Sequence, residues 1–255
     1  MTTATRAFGP VRLLRTGRVA LVTMADEASG NTISPALSAG LEDVLAVVAT
    51  DPTVHAVVVT GLPDRFSCGA SREYLAAADP VDVEPFVRAF VHCPLPVVAA
   101  MRGHAVGGGL SQGLYADIPI LSERSMYAAN FLNFGLAPAY GTTWLLPARL
   151  GSTLGTELLL TARAYRGAEL RDRGAPVRIV PHDDVVAVAL AEAERIARAP
   201  RRALELMKAQ LAGQVLAAGD AAIEVETGPH ERSWAAADRL ALVGDRYGRA
   251  EELRP

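Results

Sequence analysis

The chain has 255 residues, 50% of them hydrophobic and 21% charged, with a formal net charge of -3. That composition suits one α/β domain with a full core, or one domain with a small appendage. No block of Lys or Arg offers a face to nucleic acid or anionic lipid. No apolar run is long enough to span a bilayer, and residues 1–10 carry Arg6 without the apolar segment of a secretion signal. A cytoplasmic location is the expectation. Cys68 and Cys93 have neither CxxC nor Cys/His ligand spacing, so neither a structural metal site nor a disulfide framework is expected.

In chain order, residues 11–15 and 18–24 read as a β-hairpin around Thr16-Gly17. Ser34 is a helix N-cap with Pro35 at the first helical position, and Leu37, Leu41, Val44, Leu45 and Val48 give that helix one apolar face. Residues 56–60 form a short buried strand. Residues 80–92 read as a helix with Val83, Phe86, Val87 and Phe90 on one side. A buried strand at 95–101 precedes a glycine-rich helix start at 107–116 and a strand at 118–122. Strand and helix alternate at a spacing that implies parallel βαβ units. After a last strand at 177–180 the pattern turns helical: 183–198, 200–211 with Pro200 at its first position, and a third stretch from about residue 220.

Two glycine segments stand out: Phe66-Ser67-Cys68-Gly69-Ala70-Ser71, between a strand and a helical stretch, and Gly103-His104-Ala105-Val106-Gly107-Gly108-Gly109-Leu110-Ser111. Glycine permits a sharp turn or a close backbone approach. Backbone N–H groups at such turns, near a helix start, attract developing negative charge, and two of them aimed at one point make an oxyanion hole. The competing reading is tight packing alone. The second segment has no Gly-Lys-Ser/Thr ending and no GxGxxG order, which excludes a Walker loop and disfavours a dinucleotide fingerprint. Ser111 lacks a GxSxG context, so it reads as an ordinary helix residue.

These segments, their spacing and the later Gly135-Leu136-Ala137-Pro138-Ala139-Tyr140-Gly141-Thr142 resemble the enoyl-CoA hydratase/isomerase (crotonase) superfamily over nearly the whole chain. The resemblance implies an α/β spiral of ββα units over residues 1–195. It also implies a helical region over 196–255 that caps the site and joins subunits in trimers or dimers of trimers. It maps the two oxyanion donors onto Ala70 and Gly108, with Gly69, Gly107 and Gly109 shaping the substrate channel. No metal or organic cofactor is implied.

Typical hydratases carry a glutamate two positions after the glycine run and another four residues before the Gly-x-x-Pro segment. Here those positions are Ser111 and Phe131. Hydration needs paired carboxylates to activate water and deliver a proton, and neither residue can do so. One branch of the superfamily is similar at these positions and at Gly69-Ala70-Ser71-Arg72-Glu73-Tyr74-Leu75, Tyr127-Ala128-Ala129-Asn130-Phe131 and Tyr165-Arg166-Gly167-Ala168-Glu169-Leu170. Its members decarboxylate acyl groups in polyketide β-branching, converting 3-methylglutaconyl to 3-methylcrotonyl thioester on an acyl carrier protein.

That likeness implies His230 as proton donor, Arg72 in place of the branch's lysine, and Phe131 and Tyr74 against the acyl group. Arginine can hold a carboxylate bidentately but cannot act as a general acid. Histidine titrates near neutral pH as a residue type. Cys68 reads as a small apolar filler, and His55, His92, His104 and His182 as structural or solvated. Three other readings stay open: a combined dehydratase and decarboxylase, an isomerase or hydrolase of a CoA ester, and a non-catalytic partner subunit.

Overall fold

The computed structural model describes residues 5–80 and 82–252, with side chains up to residue 246 of the last helix. The strands are β1 (Arg6–Phe8), β2 (Val11–Thr16), β3 (Val19–Met24), β4 (Thr32–Ile33), β5 (Ala56–Thr60), β6 (Arg65–Ser67), β7 (Gly69–Ala70), β8 (Val97–Met101), β9 (His104–Val106), β10 (Ile118–Ser122), β11 (Met126–Ala128), β12 (Ala164–Arg166) and β13 (Arg178–Val180). The helices are α1 (Pro35–Thr50), α2 (Arg72–Ala76), α3 (Glu84–Val87), α4 (Ala89–His92), α5 (Gly108–Leu114), α6 (Thr142–Leu150), α7 (Ser152–Thr161), α8 (Gly167–Asp172), α9 (Val185–Ile196), α10 (Arg201–Trp234) and α11 (Arg239–Glu252).

The larger sheet runs β1-β2-β3-β5-β8-β10-β13 and the smaller β12-β11-β9-β6, while β4 and β7 form a separate pair. Pairing from β3 through β5, β8 and β10 to β13 is parallel. Each turn of the spiral sends one strand to the large sheet, the next to the small sheet, and then a helix back across, as in β8-β9-α5. The ββα arrangement expected from sequence is therefore present.

Strands β5 and β8 are buried at every position, as befits parallel strands covered on both faces. Their side chains alternate between two cores. Val57, Val59, Ala99 and Met101 pack with Leu37, Leu41, Val44 and Val48 of α1. Val58, Val98 and Ala100 pack with Val185, Ala189 and Ala193 of α9. Ser34 caps α1 by accepting from the Leu37 N–H.

Three expectations change. Residues 80–92 are not one helix: α3 and α4 meet at a break at Arg88, whose buried guanidinium bonds Glu84 and, at 2.6 Å, Asp220. The stretches from 200 and from 220 are one helix of 34 residues. Pro200 is its N-cap rather than its first residue. Helix propensity is low at Gly213, Gly219, Gly228 and Pro229, and tertiary tethers override it. Arg201 bonds the carbonyls of Ala49, Asp51 and Val54 at the end of α1. Buried Lys208 bonds Asp117 at 2.7 Å and the Phe90 carbonyl at 3.0 Å. Among the described residues no helix is long and apolar enough to cross a membrane.

Burial pushes the Tyr115 phenol up to about 12, against the pull of the Arg88 guanidinium, and pushes the Tyr127 phenol up as well. Between pH about 10, where an unfolded tyrosine titrates, and pH about 12 the folded chain holds more phenol protons than the unfolded one. Stability therefore falls as pH rises across that window. The denaturant midpoint should drop over this range and drop less steeply in Tyr115→Phe; an identical slope in the variant would contradict the assignment.

Candidate active site

The first glycine turn is built from β6, β7 and the start of α2. Asn31, buried and at φ +57°, fastens it. The Asn31 side-chain amide donates to the carbonyls of Met24 at 2.9 Å and Phe66 at 3.1 Å, and the Asn31 backbone carbonyl accepts from the Cys68 N–H at 3.1 Å. Ser71 then caps α2 by accepting from the Tyr74 N–H at 3.1 Å.

The second turn joins β9 to α5 through Gly107, whose φ of +55° and ψ of -125° lie in a region that L side chains rarely adopt. Gly108 begins α5, where a backbone N–H has no carbonyl within the helix to bond. The two turns touch. A Cβ on Gly69, itself at φ +70°, would stand 2.6 Å from the Val106 carbonyl oxygen and 3.6 Å from the Gly108 nitrogen.

A cavity of about 80 Å³ opens on this junction. Ala70, Gly69, Gly107 and Gly108 line it together with Tyr74, Phe131, Tyr140, His230 and Trp234. It is smaller than the 300–1,000 Å³ usual for ligand pockets and suits a short acyl group. No Asp, Glu, Lys or Arg lines it among the described residues. A larger hollow of about 500 Å³ lies beside α1, α3 and α4, but no glycine-turn residue lines it.

His230 enters from α10. Its Nδ1 is 2.7 Å from the Ala137 carbonyl oxygen. A carbonyl only accepts, so Nδ1 carries a proton and Nε2 is the site that gains or gives one. Nε2 is buried and has no hydrogen-bond partner among the described residues. The ring packs at 6.4 Å from Tyr140 and 5.7 Å from Trp234. Three further backbone N–H bonds hold the same loop to the same helix: Ala137 N–H to the Ser233 hydroxyl at 3.0 Å, and the Gly141 and Thr143 N–H groups to buried Glu226 at 2.7 Å each.

The structure thus gathers Ala70, Gly108, Gly69, Gly107, Phe131, Tyr74 and His230 around one cavity. Two residues named from sequence fall outside it. Gly109 packs against β6, where a Cβ would meet the Ser67 carbonyl oxygen at 2.4 Å. Arg72 is exposed on the first turn of α2. Tyr74 and Leu75, two and three residues later, do line the cavity.

Ser111 is buried, with its hydroxyl 3.0 Å from that of Thr142, and does not line the cavity. Cys68 does line it, and burial pushes its thiol up, so it stands as a neutral filler. His55, His92, His104 and His182 lie elsewhere. Sequence reasoning did not single out Asn31, Asn130 or Glu226. An acidic residue on the core-facing side of α10 was the one available signal for Glu226.

The enoyl-CoA hydratase/isomerase family profile matches residues 15–244. The chain belongs to that family. It is 34% identical over 232 residues to the bacillaene synthase decarboxylase PksI of Bacillus subtilis, covering 89% of this chain and 93% of that protein. It is 33% identical over 211 residues to a probable enoyl-CoA hydratase, EchA14, of Mycobacterium tuberculosis, covering 80% and 82% respectively. Among solved structures, the ECH2 decarboxylase domain of CurF from Lyngbya majuscula superposes with a TM-score of 0.88 at 35% identity, over 93% of this chain and 99% of that one. A structure from a dehydratase/decarboxylase enzyme couple involved in polyketide β-branching gives a TM-score of 0.89 at 32% identity, over 94% and 99%.

Gly69→Ala tests the junction. The new methyl meets the Val106 carbonyl at a left-handed position, which should cost about 1–3 kcal/mol of folding stability. It should also lower turnover by roughly a hundredfold through a misplaced amide. A stable, fully active variant, by denaturant melt and turnover, would show that the contact is dispensable.

Proposed function

We propose that the chain is a decarboxylating lyase of polyketide β-branching, acting on a 3-methylglutaconyl-type group carried as a thioester on an acyl carrier protein. One observation carries the reading: a single cavity lined by Ala70, Gly108 and one histidine, with aromatic groups where a hydratase needs carboxylates. The likeness to two decarboxylases supports it.

In this mechanism the substrate's terminal carboxylate enters an apolar, aromatic enclosure. As the C–C bond breaks, its electron pair passes into the conjugated system and the charge arrives on the thioester oxygen. The Ala70 and Gly108 N–H groups receive it, each contributing roughly 3 kcal/mol. The dienolate then takes a proton from His230 Nε2. The bond from Nδ1 to Ala137 keeps the ring oriented throughout, and the histidine is left as the neutral Nδ1–H tautomer. Phe131 keeps water from the dienolate. Arg72, exposed near the mouth, is better placed for the carrier than for the reacting carboxylate.

Self-association into trimers belongs to the same proposal. Leu206, Met207, Leu211 and Val225 are exposed along α10, and a partner subunit would cover them. A cytoplasmic location goes with carrier-protein chemistry.

Mass spectrometry of 3-methylglutaconyl carrier protein incubated with the enzyme should record loss of CO2. His230→Gln should slow that loss by roughly a hundredfold or more with the fold retained by circular dichroism. No mass change with folded wild-type protein would sink the proposal, and a fully active His230→Gln would remove the histidine from it.

A further inference from the structure

If the substrate of the proposed reaction is dicarboxylic, something must hold the carboxylate that leaves, and Arg72 is exposed and does not line the cavity. No other cationic side chain except His230 lines the cavity among the described residues. Two phenols do. The hydroxyls of Tyr74 and Tyr140 hydrogen-bond each other at 3.4 Å, a long bond that an entering carboxylate can replace by accepting from both.

Tyr140 is held in place by more than packing. Its backbone lies at φ +62°, unusual for a bulky residue. That conformation is fixed from both sides: the Tyr115 hydroxyl donates to the Tyr140 carbonyl at 2.6 Å, and Glu226 accepts from the next N–H at 2.7 Å. Strained backbone that its surroundings over-determine is commonest where a side chain must be aimed. Here it aims the ring of Tyr140 at the cavity, beside His230.

We infer that Tyr140, acting with Tyr74, is the specificity-determining residue that takes the carboxylate lost as CO2. This rests on the decarboxylase reading and deepens it. Burial pushes both phenols upward, so they stay neutral donors across the working pH range. Neutrality is an advantage, because a cation would stabilise the departing carboxylate in the ground state, whereas phenols orient it without cancelling its charge. Asp82, Glu84 and Glu231 line a hollow behind Tyr140 and His230, so an anion meets repulsion on that side and donors on the cavity side.

The test compares two pantetheine thioesters, 3-methylglutaryl, which keeps a carboxylate and lacks the conjugation needed to lose it, and 3-methylcrotonyl, the product group. Wild-type protein should bind the first more tightly. Tyr140→Phe should weaken the first by at least roughly tenfold, the scale of one hydrogen bond to a charged group, and leave the second unchanged. Tyr74→Phe should show the same selectivity, and the double variant should be less than additive.

Equal weakening of both ligands would make Tyr140 a packing residue and overturn the inference. So would a wild-type protein with no preference for the carboxylate, a result that needs no variant. Failure of the inference is separable from failure of the reaction: wild-type turnover with an indifferent Tyr140→Phe removes only the cradle, while carboxylate-selective binding without CO2 release removes only the decarboxylase reading.

Discussion

The contact between the turns at Gly69 and Gly107 is the constraint on which the site depends. Strand β6 pairs with β9 through a register shift between Arg65 and Ser67, and such an irregularity re-aims the chain that follows it. The turns then meet at distances no Cβ would allow. Bringing so much backbone together leaves polar groups that water cannot reach, and each needs a partner. Asn31 supplies several at once, bonding β3, β6 and the Cys68 N–H from one buried, left-handed position. The amides are rigid because their neighbours have no alternative conformation to relax into, and rigidity is what lets a donor act on a developing charge without reorganising.

The other half of the site is delivered from far along the chain, by a different kind of force. Helix α10 is about 50 Å long at 1.5 Å per residue, and its apolar stripe faces outward at Leu206, Met207, Leu211 and Val225. Ala212, Val215, Leu216 and Trp234 pack against the core, and polar ties fix the helix along its length: Arg201 on the end of α1, Lys208 on Asp117, Asp220 on Arg88, Glu226 on the Gly141 loop. Buried ionic contacts are a weak source of net stability but can fix register. An apolar face would tolerate small rotations. A carboxylate that must accept two particular N–H groups does not. With Glu226 set, His230 one helical turn later comes down on the Ala137 carbonyl and lines the cavity.

Much of the fold was legible because local rules and tertiary structure agree. The hairpin, the Ser34-Pro35 helix start and the strands at 56–60 and 118–122 each carry a cap, a turn or a β-rich run. The misreadings share a cause, which is that long-range contacts decide them. The break at Arg88 depends on Asp220, and the continuity of α10 depends on partners more than 80 residues away in sequence. Within the site, the glycine segments and the two missing glutamates could be read directly, since they concern backbone permission and the absence of a charge. The direction of Arg72 could not. It lies two residues from Ala70, yet it is exposed and does not line the cavity. The left-handed backbone of Tyr140 is visible only in three dimensions.

What remains is how one scaffold is committed to one reaction, and here the cavity's missing charges decide. A hydratase needs two carboxylates beside the acyl chain. With Ser111 buried against Thr142 and Phe131 in the wall, no general base of that kind is present to activate water among the described residues. A carboxylate brought into such an enclosure trades its hydration for neutral phenols and one histidine, and burying a poorly compensated charge is costly. Ala70 and Gly108 line the same cavity. In the proposed reaction, moving the negative charge from the carboxylate onto the thioester oxygen relieves that cost and gains hydrogen bonds from their amides. Loss of CO2 accomplishes that transfer, so the two absent glutamates do more than disable hydration: they leave an aromatic wall that favours departure of the charge.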